Sequence, residues 1–304
     1  MARLVFLGTP PAAAVSLEAL VHAGHDVALV VSRPDARRGR GAARSPSPVK
    51  RAAMDHGLEV TAGLDDVSAI GAELGVVVAY GRLVPGRVLD SLPMVNVLFS
   101  LLPRWRGAAP VERAVLAGDS ETGVCIMALE ESLDTGPVLA SRRVSIAAGE
   151  HVSALTDRLA TTGAALLVDT LAAGVDALPA GVAQQGEPTY AEKVRPEELH
   201  LDWSRSASEL ERVVRLDRAW TTFRHERLRV LDAIVRSGPP PSEEDGDAPR
   251  TPGSLRERAV RTGDGVLELL EVQPAGKRPM SASAWWRGVR VQVGETLGDD
   301  EQRR

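Results

Sequence analysis

The sequence predicts an α/β protein, with a doubly wound parallel sheet domain followed by a small β-barrel domain. Three observations support this. Short apolar strands alternate with helical stretches over residues 1–173, an aperiodic stretch with three prolines fills 174–200, and short β-like runs occupy 201–304. Such alternation is typical of a parallel sheet that binds ligands at the carboxyl ends of its strands. We therefore expect a sheet domain, a linker and a small barrel.

The first half alternates strand and helix. RLVFLG (3–8) is a short apolar strand, and Thr9 is a candidate cap for an Ala-rich helix that ends near His22. The next strands are continuously apolar, as strands buried on both faces are: DVALVV (26–31), GVVVAYG (75–81) and MVNVL (94–98). Helical stretches at about 47–56 and 84–91 separate them, which favours β-α units.

The segment LDTG (133–136) is a turn between two predicted strands. GVCIMALEE (123–131) and VLASRRVSI (138–146) read as a strand and its return strand, and an Ala/Leu-rich helix follows to 173. Beyond Leu201 we expect a charged helix near 206–217. The runs LRVLDAIV, GVLELLEVQPAG and RVQVGE then suggest strands, separated by a Pro-rich acidic loop.

Composition limits the function classes. With 304 residues and 44% hydrophobic residues, the chain is long enough and apolar enough for two domains with their own cores. No apolar run approaches the ~20 residues of a membrane span, and the amino terminus lacks a signal-peptide pattern, so we expect a cytoplasmic protein without membrane contact. The single cysteine, Cys125, predicts a buried apolar residue, and no metal site is expected.

Charge is unevenly distributed. The net charge of −5 argues against an overall basic nucleic-acid binder, yet seven basic residues and one acid lie between Arg33 and Arg51. A phosphate backbone would suit this loop, because Lys and Arg contacts release counterions. A solvated charged loop is the alternative. Its position after the strand 26–31 favours the functional interpretation, since that is the ligand-binding edge.

The stretch VNVLFSLLPRWRGAAP (95–110) delivers a strand into a polar turn. Ser100 and Pro103 form the turn, and Trp105 offers a flat apolar face between two arginines. Asn96 is a candidate polar group, whereas position 98, on the same side of the strand, is Leu. Asp134 in LDTG either initiates a turn or joins Asn96 where two strands end side by side, an arrangement suited to holding an amine and accepting its proton.

On these residues the chain resembles the methionyl-tRNA formyltransferase family. The motifs that carry the resemblance are FLGTP, the RPD–GRG–SPSPVK loop, VVVAYG, SLLPRWRGAAP, ETGV, LDTG, TYAEK and QPAGK. The three lysines of the chain, Lys50, Lys193 and Lys277, all fall inside such motifs. The resemblance implies a Rossmann-like catalytic domain, an OB-like carboxyl-terminal domain that binds tRNA, and formyl transfer from 10-formyltetrahydrofolate to the α-amine of methionyl initiator tRNA.

The resemblance also assigns residues. We separately expect a monomer. Asn96 and Asp134 match two of the three catalytic positions of the family. The folate contacts implied are Ser100, Leu101, Leu102 and Pro103, with Tyr80 and Gly81. The tRNA contacts implied are Arg37, Arg38, Arg40, Arg44, Lys193 and Lys277.

The third catalytic position departs from the family, which has His where this chain has Leu98. Leucine cannot donate a hydrogen bond, and the loss of one oxyanion donor typically costs about 2.7 to 4 kcal/mol. We therefore expect slowed formyl transfer. A folate- or tRNA-binding relative without turnover, a sugar-nucleotide formyltransferase, and an altered codon at position 98 remain alternatives. None of the six histidines lies at the carboxyl end of a predicted strand. The sequence LDRAWTTF also replaces the Pro-containing turn usual in the carboxyl-terminal domain.

Overall fold

The computed structural model describes residues 1–37, 44–236, 251–292 and 295–298, and the chain divides into two units. The first unit comprises Met1–Val111, Ser120–Ile146 and Ala154–Glu192. The second comprises Glu112–Asp119, Ala147–Ser153 and Lys193–Arg304. Each unit is described separately below.

Strands and helices alternate along the first unit. Its strands are β1 (Arg3–Gly8), β2 (Asp26–Val31), β3 (Ala36–Arg37), β4 (Arg44–Ser45), β5 (Val60–Thr61), β6 (Leu74–Val78), β7 (Met94–Leu98), β8 (Arg106–Gly107), β9 (Glu121–Ala128), β10 (Val138–Ser145) and β11 (Tyr190–Ala191). The helices up to residue 171 are α1 (Pro11–His22), α2 (Pro48–Asp55), α3 (Gly86–Leu89), α4 (Pro110–Ala117) and α5 (Val152–Leu171). Most of α4 belongs to the second unit.

A 7-stranded sheet with the order β10-β9-β7-β6-β1-β2-β5 forms the centre of the first unit. Strands β5, β2, β1, β6 and β7 are parallel, whereas β9 runs antiparallel to both β7 and β10. The continuously apolar strands are buried, as parallel strands covered on both faces are. The predicted α/β class with a Rossmann-like sheet is therefore confirmed.

The two faces of this sheet carry different neighbours. Gly163 of α5 lies against Val97 and Val124, close enough that an added Cβ would be 3.1 Å from Val97 Cγ1. The opposite face carries a cluster that includes Val77 and Met94. Asn96 pairs with Val77 across the β6–β7 ladder, so the Asn96 side chain belongs to that opposite face.

The predicted cap of the first helix is wrong. Pro10, not Thr9, precedes α1, and no side chain caps the helix. Thr9 Oγ1 instead donates to the Tyr80 carbonyl at 3.4 Å. The hydroxyl therefore ties the turn after β1 to the turn after β6.

An antiparallel sheet forms the second unit, as the predicted class requires. Its strands are β12 (Trp220–Phe223), β13 (Glu226–Val235), β14 (Leu255–Arg256), β15 (Ala259–Arg261), β16 (Val266–Pro274) and β17 (Met280–Ser281). Helices α6 (Ala207–Val214) and α7 (Ala282–Val289) accompany them. Leu210 of α6, Trp285 of α7 and Leu269 of β16 share one buried core.

Two features of the second unit were not predicted from the sequence. The run RVQVGE is not a strand in its described residues, because Arg290 caps α7 in the left-handed region and residues 291 and 292 carry no regular structure. Helix α6 begins with a capping box, in which hydrogen bonds from Ser206 lower the pKa of Glu209 to about 2. Among the described residues, no helix has the length and apolar character needed to cross a membrane.

Candidate active site

Asp134 is a buried carboxylate in the loop between β9 and β10. Its residue is only 6% exposed, and the Gly107 backbone amide donates to Oδ2 at 2.8 Å. Burial raises the pKa of the carboxyl above its ordinary value. The Gly107 hydrogen bond, the Arg106 charge and a hydrogen bond with Asn96 oppose that rise, in decreasing order. A carboxylate held in this way can accept a proton from a bound amine.

Asn96 and Leu98 occupy alternate positions of β7 and therefore share one sheet face. The side chain of Asn96 is buried and hydrogen-bonds with Asp134. The pair was expected where two strands end side by side, and that explanation is wrong. Strand β9 is antiparallel to β7, so its last residue, Ala128, pairs with Val95 near the beginning of β7. The following loop brings Asp134 back to the middle of β7.

Leu98 lies beside Asn96 and directly opposite Cys125 of β9. Burial raises the pKa of the Cys125 thiol, and a backbone hydrogen bond with Leu102 lowers it. The segment 100–103 therefore lies over β9, next to Leu98. Gly123 permits this approach, because a side chain there would collide with Leu101. The Leu98 side chain is aliphatic, so the group beside Asn96 cannot donate a hydrogen bond.

The segment 100–103 and the turn after β6 contain buried polar atoms without partners. Ser100 is fully buried, and its Oγ has no hydrogen-bond partner among the described residues. The Tyr80 hydroxyl is likewise buried and unpaired within the described part of the chain. Leu101, Leu102 and Pro103 are half-buried. Unpaired buried hydroxyls are costly in an isolated protein, and an entering polar ligand would relieve that cost.

Gly81 joins the same edge of the sheet to the arginine-rich loop. Its carbonyl accepts a hydrogen bond from Arg33 Nη2 at 2.6 Å. Gly81 has a φ of 75°, and a Cβ would fall 2.7 Å from that same nitrogen, so both backbone and space favour glycine. The turns after β2 and β6 therefore meet here.

The predicted tRNA contacts are distributed over both units. Arg37 and Arg44 face each other in the β3–β4 ladder, whereas Arg38 and Arg40 lie outside the described residues. Arg44 is exposed, and Lys50 forms an ion pair with Asp35 at 2.8 Å. Lys193 and Lys277 belong to the second unit, and both are exposed.

The segment 182–191 was predicted to be part of a linker, and its attachment to the first unit was not predicted. Its two bridges Val138–Val182 and β8–β11 attach it to the first unit. Gln184 donates to the carbonyl of Asp134, and Thr189 accepts a hydrogen bond from the Trp105 amide. The TYAEK motif marks the end of this segment, but no local pattern singles out Gln184.

None of the histidines takes the position of Leu98. They lie at the end of α1 (His22), before β2 (His25), after α2 (His56), before α5 (His151), after the short helix 196–199 (His200) and in the β12–β13 turn (His225). Among the described residues, no group of three or more His, Cys, Asp or Glu side chains is arranged to hold a metal ion.

Comparison with known proteins finds relatives along nearly the whole chain. The Formyl transferase family matches residues 2–171, and the Formyl transferase C-terminal domain matches residues 193–290. The methionyl-tRNA formyltransferase of Roseobacter denitrificans is 41% identical over 96% of this chain and 97% of its own length. That of Methylococcus capsulatus is 43% identical over 97% and 99%, respectively.

Solved structures show the same fold at lower identity. WlaRD, a sugar 3N-formyl transferase, has a TM-score of 0.67 at 12% identity and covers 91% of this chain and 99% of its own. HypX from Aquifex aeolicus in complex with tetrahydrofolic acid has a TM-score of 0.63 at 15% identity over 94% of this chain. The chain spans about half of HypX, 47% of its length.

Proposed function

The chain belongs to the methionyl-tRNA formyltransferase family, and from this premise we propose that it transfers a formyl group from 10-formyltetrahydrofolate to the α-amine of methionyl initiator tRNA. We further propose that Leu98 slows the reaction. The observation that carries the proposal is the buried Asp134 carboxylate, held against Asn96 and the Gly107 amide. Such a role would be performed in the cytoplasm.

Asp134 and Asn96 have complementary tasks in this scheme. The amine nitrogen forms a bond to the formyl carbon, and the bond from that carbon to the folate nitrogen breaks. Asp134 accepts the proton that the amine loses, and the departing folate nitrogen takes up a proton. Asn96 donates an amide N–H to the formyl oxygen while negative charge develops on it. The raised pKa of Asp134 suits a proton acceptor that must work close to neutral pH.

With leucine at position 98, the formyl oxygen has one hydrogen-bond donor fewer. In other enzymes the loss of a single oxyanion donor costs roughly 10²- to 10³-fold in rate. Leu98 lies on the Asn96 face of β7, beside the segment 100–103. A donor at position 98 would therefore act together with Asn96 on one oxygen.

The segment 100–103 and Tyr80 fit a folate ring. Ser100 Oγ and the Tyr80 hydroxyl are buried without a partner among the described residues, and Leu101 and Leu102 supply half-buried apolar surface. A pterin has both polar edges and apolar faces, so it can satisfy these hydroxyls and cover the leucines. Gly81 lies at the neighbouring turn, where its carbonyl accepts a hydrogen bond from Arg33.

The arginine-rich loop supplies the contacts to tRNA in this proposal. Arg37 and Arg44 pair in the β3–β4 ladder, Arg38 and Arg40 lie outside the described residues, and the exposed Lys193 and Lys277 add positive charge to the second unit. Each phosphate contact releases a counterion, so binding of methionyl-tRNA should weaken steeply as salt rises.

The test is single-turnover formylation of initiator methionyl-tRNA by the chain beside its Leu98→His variant. We expect slow formylation by the chain, and a rate roughly 10² to 10³ times higher in Leu98→His. Leu98→Met, which keeps an apolar side chain of similar size, is the matched control and should gain nothing. Equal rates for the chain and Leu98→His would contradict this account of the site.

Leu98 also favours a second candidate, a folate- and tRNA-binding protein without turnover. Enzyme in excess over tRNA separates the two functions. Any clear formylation of bound methionyl-tRNA by the unmodified chain removes the second candidate. Tight, salt-dependent tRNA binding without a formylated product would support it.

A further inference from the structure

A hydrogen-bonding network centred on Gln184 connects Asp134 with Arg106. We propose that Gln184 is a positioning residue for the reaction, because its one side-chain amide fixes the backbone that carries Asp134 and the guanidinium beside it. The inference rests on the proposed function, in which Asp134 accepts the proton of the amine. Gln184 acts in this proposal through its contacts with Asp134, Gly136 and Arg106.

The nitrogen of the Gln184 amide holds the Asp134 turn. Nε2 donates to the Asp134 carbonyl and to the Gly136 carbonyl, both at 2.8 Å. Asp134 has a backbone φ of 52°, in the left-handed region that residues other than glycine rarely adopt. Such a backbone persists only where its surroundings fix it. Gln184 supplies that constraint from outside the turn.

The oxygen of the same amide holds Arg106. Oε1 accepts hydrogen bonds from Arg106 Nη2 at 2.7 Å and from Nε at 3.1 Å. The charge of Arg106 is one of the influences that lower the pKa of Asp134. The position of Gln184 therefore sets both the direction of the carboxylate and the distance of its neighbouring cation.

This arrangement requires a side chain with both a hydrogen-bond donor and a hydrogen-bond acceptor. Two carbonyls face Nε2, so that position needs a donor, and a guanidinium faces Oε1, so that position needs an acceptor. Glutamate would keep the acceptor and lose both donors. Leucine would lose both functions while keeping a similar volume.

The segment that carries Gln184 is anchored on both sides. Val182 exchanges backbone hydrogen bonds with Val138 at 2.8 and 2.9 Å. On the other side, the Thr189 amide donates to the Pro103 carbonyl at 3.2 Å, and the Ala191 carbonyl accepts from Ala108 at 2.8 Å. Gln184 is held between these anchors. Gln185, its neighbour, is exposed and provides a matched control.

The experiment compares Gln184→Leu and Gln184→Glu with Gln185→Leu and Gln185→Glu, all in the Leu98→His background. Single-turnover formylation is measured against pH, together with methionyl-tRNA affinity. We expect Gln184→Leu to lower the rate by roughly 10- to 100-fold, because a misplaced catalytic group loses rate on that scale. Affinity for methionyl-tRNA should stay at the parent value, as should every property of the Gln185 variants.

Gln184→Glu supplies a readout that a merely structural role would not move. Its added negative charge would offset Arg106 beside Asp134, so the acidic limb of the pH–rate profile should shift to higher pH. Gln185→Glu should leave that limb in place. Circular dichroism and thermal unfolding verify that the variants fold. Should Gln184→Leu fail to fold, Gln184→Glu and its control decide the question.

Two outcomes overturn the inference while the proposed function stands. One is a Gln184→Leu rate equal to that of Gln185→Leu. The other is an acidic limb of Gln184→Glu that coincides with that of Gln185→Glu. If instead the Leu98→His parent, with Gln184 intact, forms no formylated tRNA, the proposed function fails and the inference falls with it.

Discussion

The molecule contains two polar clusters, each built around an aspartate, and the surroundings of the two carboxylates differ. Asp134 in the first unit is 6% exposed and has an Asn and a backbone amide as partners, with Leu98 at the position where the resemblance implies histidine. In the second unit, Asp217 has a histidine, His151, as its partner. His151 Nδ1 lies 2.8 Å from its Oδ1, and His151 Nε2 lies 3.7 Å from Asp232.

The two clusters differ in how far the carboxylate is buried. The side chain of Asp217 is 38% exposed, and its second oxygen accepts a hydrogen bond from the Ser153 amide at 3.0 Å. This cluster therefore connects the segment 147–153 to the residues after α6. The Asp134 carboxylate is instead removed from water, which raises its pKa, and a buried carboxyl with a shifted pKa is a candidate for a functional site.

Removing the charge of the buried carboxylate should have the largest effect. In the Leu98→His background, Asp134→Asn should lower the single-turnover rate by roughly 10²- to 10⁴-fold, the range typical of a general base. Asp217→Asn is the matched control and should formylate at the parent rate. A full rate in Asp134→Asn would remove Asp134 from the chemistry and leave the two clusters equivalent.

Burial of Asp134 also has a consequence for stability. Its folded-state pKa is raised above the ordinary value of 3.8, so between these two pH values the folded protein binds more protons than the unfolded chain. The contribution of Asp134 to stability is therefore fully present below pH 3.8 and is lost as pH rises through the folded-state pKa. Asp134→Asn, which stays neutral, should be more stable than the parent at neutral pH and indistinguishable from it in acid.

Urea unfolding at a series of pH values measures this difference. Asp217→Asn again serves as the control, since its carboxylate is partly exposed. A neutral-pH stability of Asp134→Asn below that of the parent would show that the partners of the carboxylate outweigh its desolvation.

The smallest effect is expected for the histidine cluster. His151→Leu should leave formylation unchanged and lower the free energy of unfolding by about 1 kcal/mol or less, because a partly exposed hydrogen-bonded pair contributes little. Urea unfolding and single-turnover assays measure the two quantities. A rate loss comparable to that of Asp134→Asn would mean that the imidazole serves the reaction after all.

The sequence predicted elements whose signal is local. Continuous apolar runs indicated β2 and β7 with their correct ends, because burial on both faces leaves a pattern within the strand itself. Thr9 was misassigned as a cap, because its hydroxyl is used by Tyr80, a residue 71 positions away. Such a partner cannot be inferred from neighbouring residues.

The site was predictable only in part for the same reason. Asn96 and Asp134 were chosen together by resemblance, but the antiparallel course of β9 and the left-handed turn at Asp134 depend on the complete sheet. Gln184 lay in a stretch without periodicity, so nothing local distinguished it from Gln185. The folate and tRNA assignments all stay predictions, and so do the boundaries at 173 and 200.

The parallel pairing of β11 with β8 has a practical consequence for dissecting the protein. A fragment that stops at Leu171 contains every strand of the large sheet yet leaves Trp105, Arg106 and Gly107 without the backbone that meets them from residues 189 to 191. An isolated amino-terminal piece should therefore extend to Glu192, about twenty residues past the last long helix, if its reaction centre is to keep its shape.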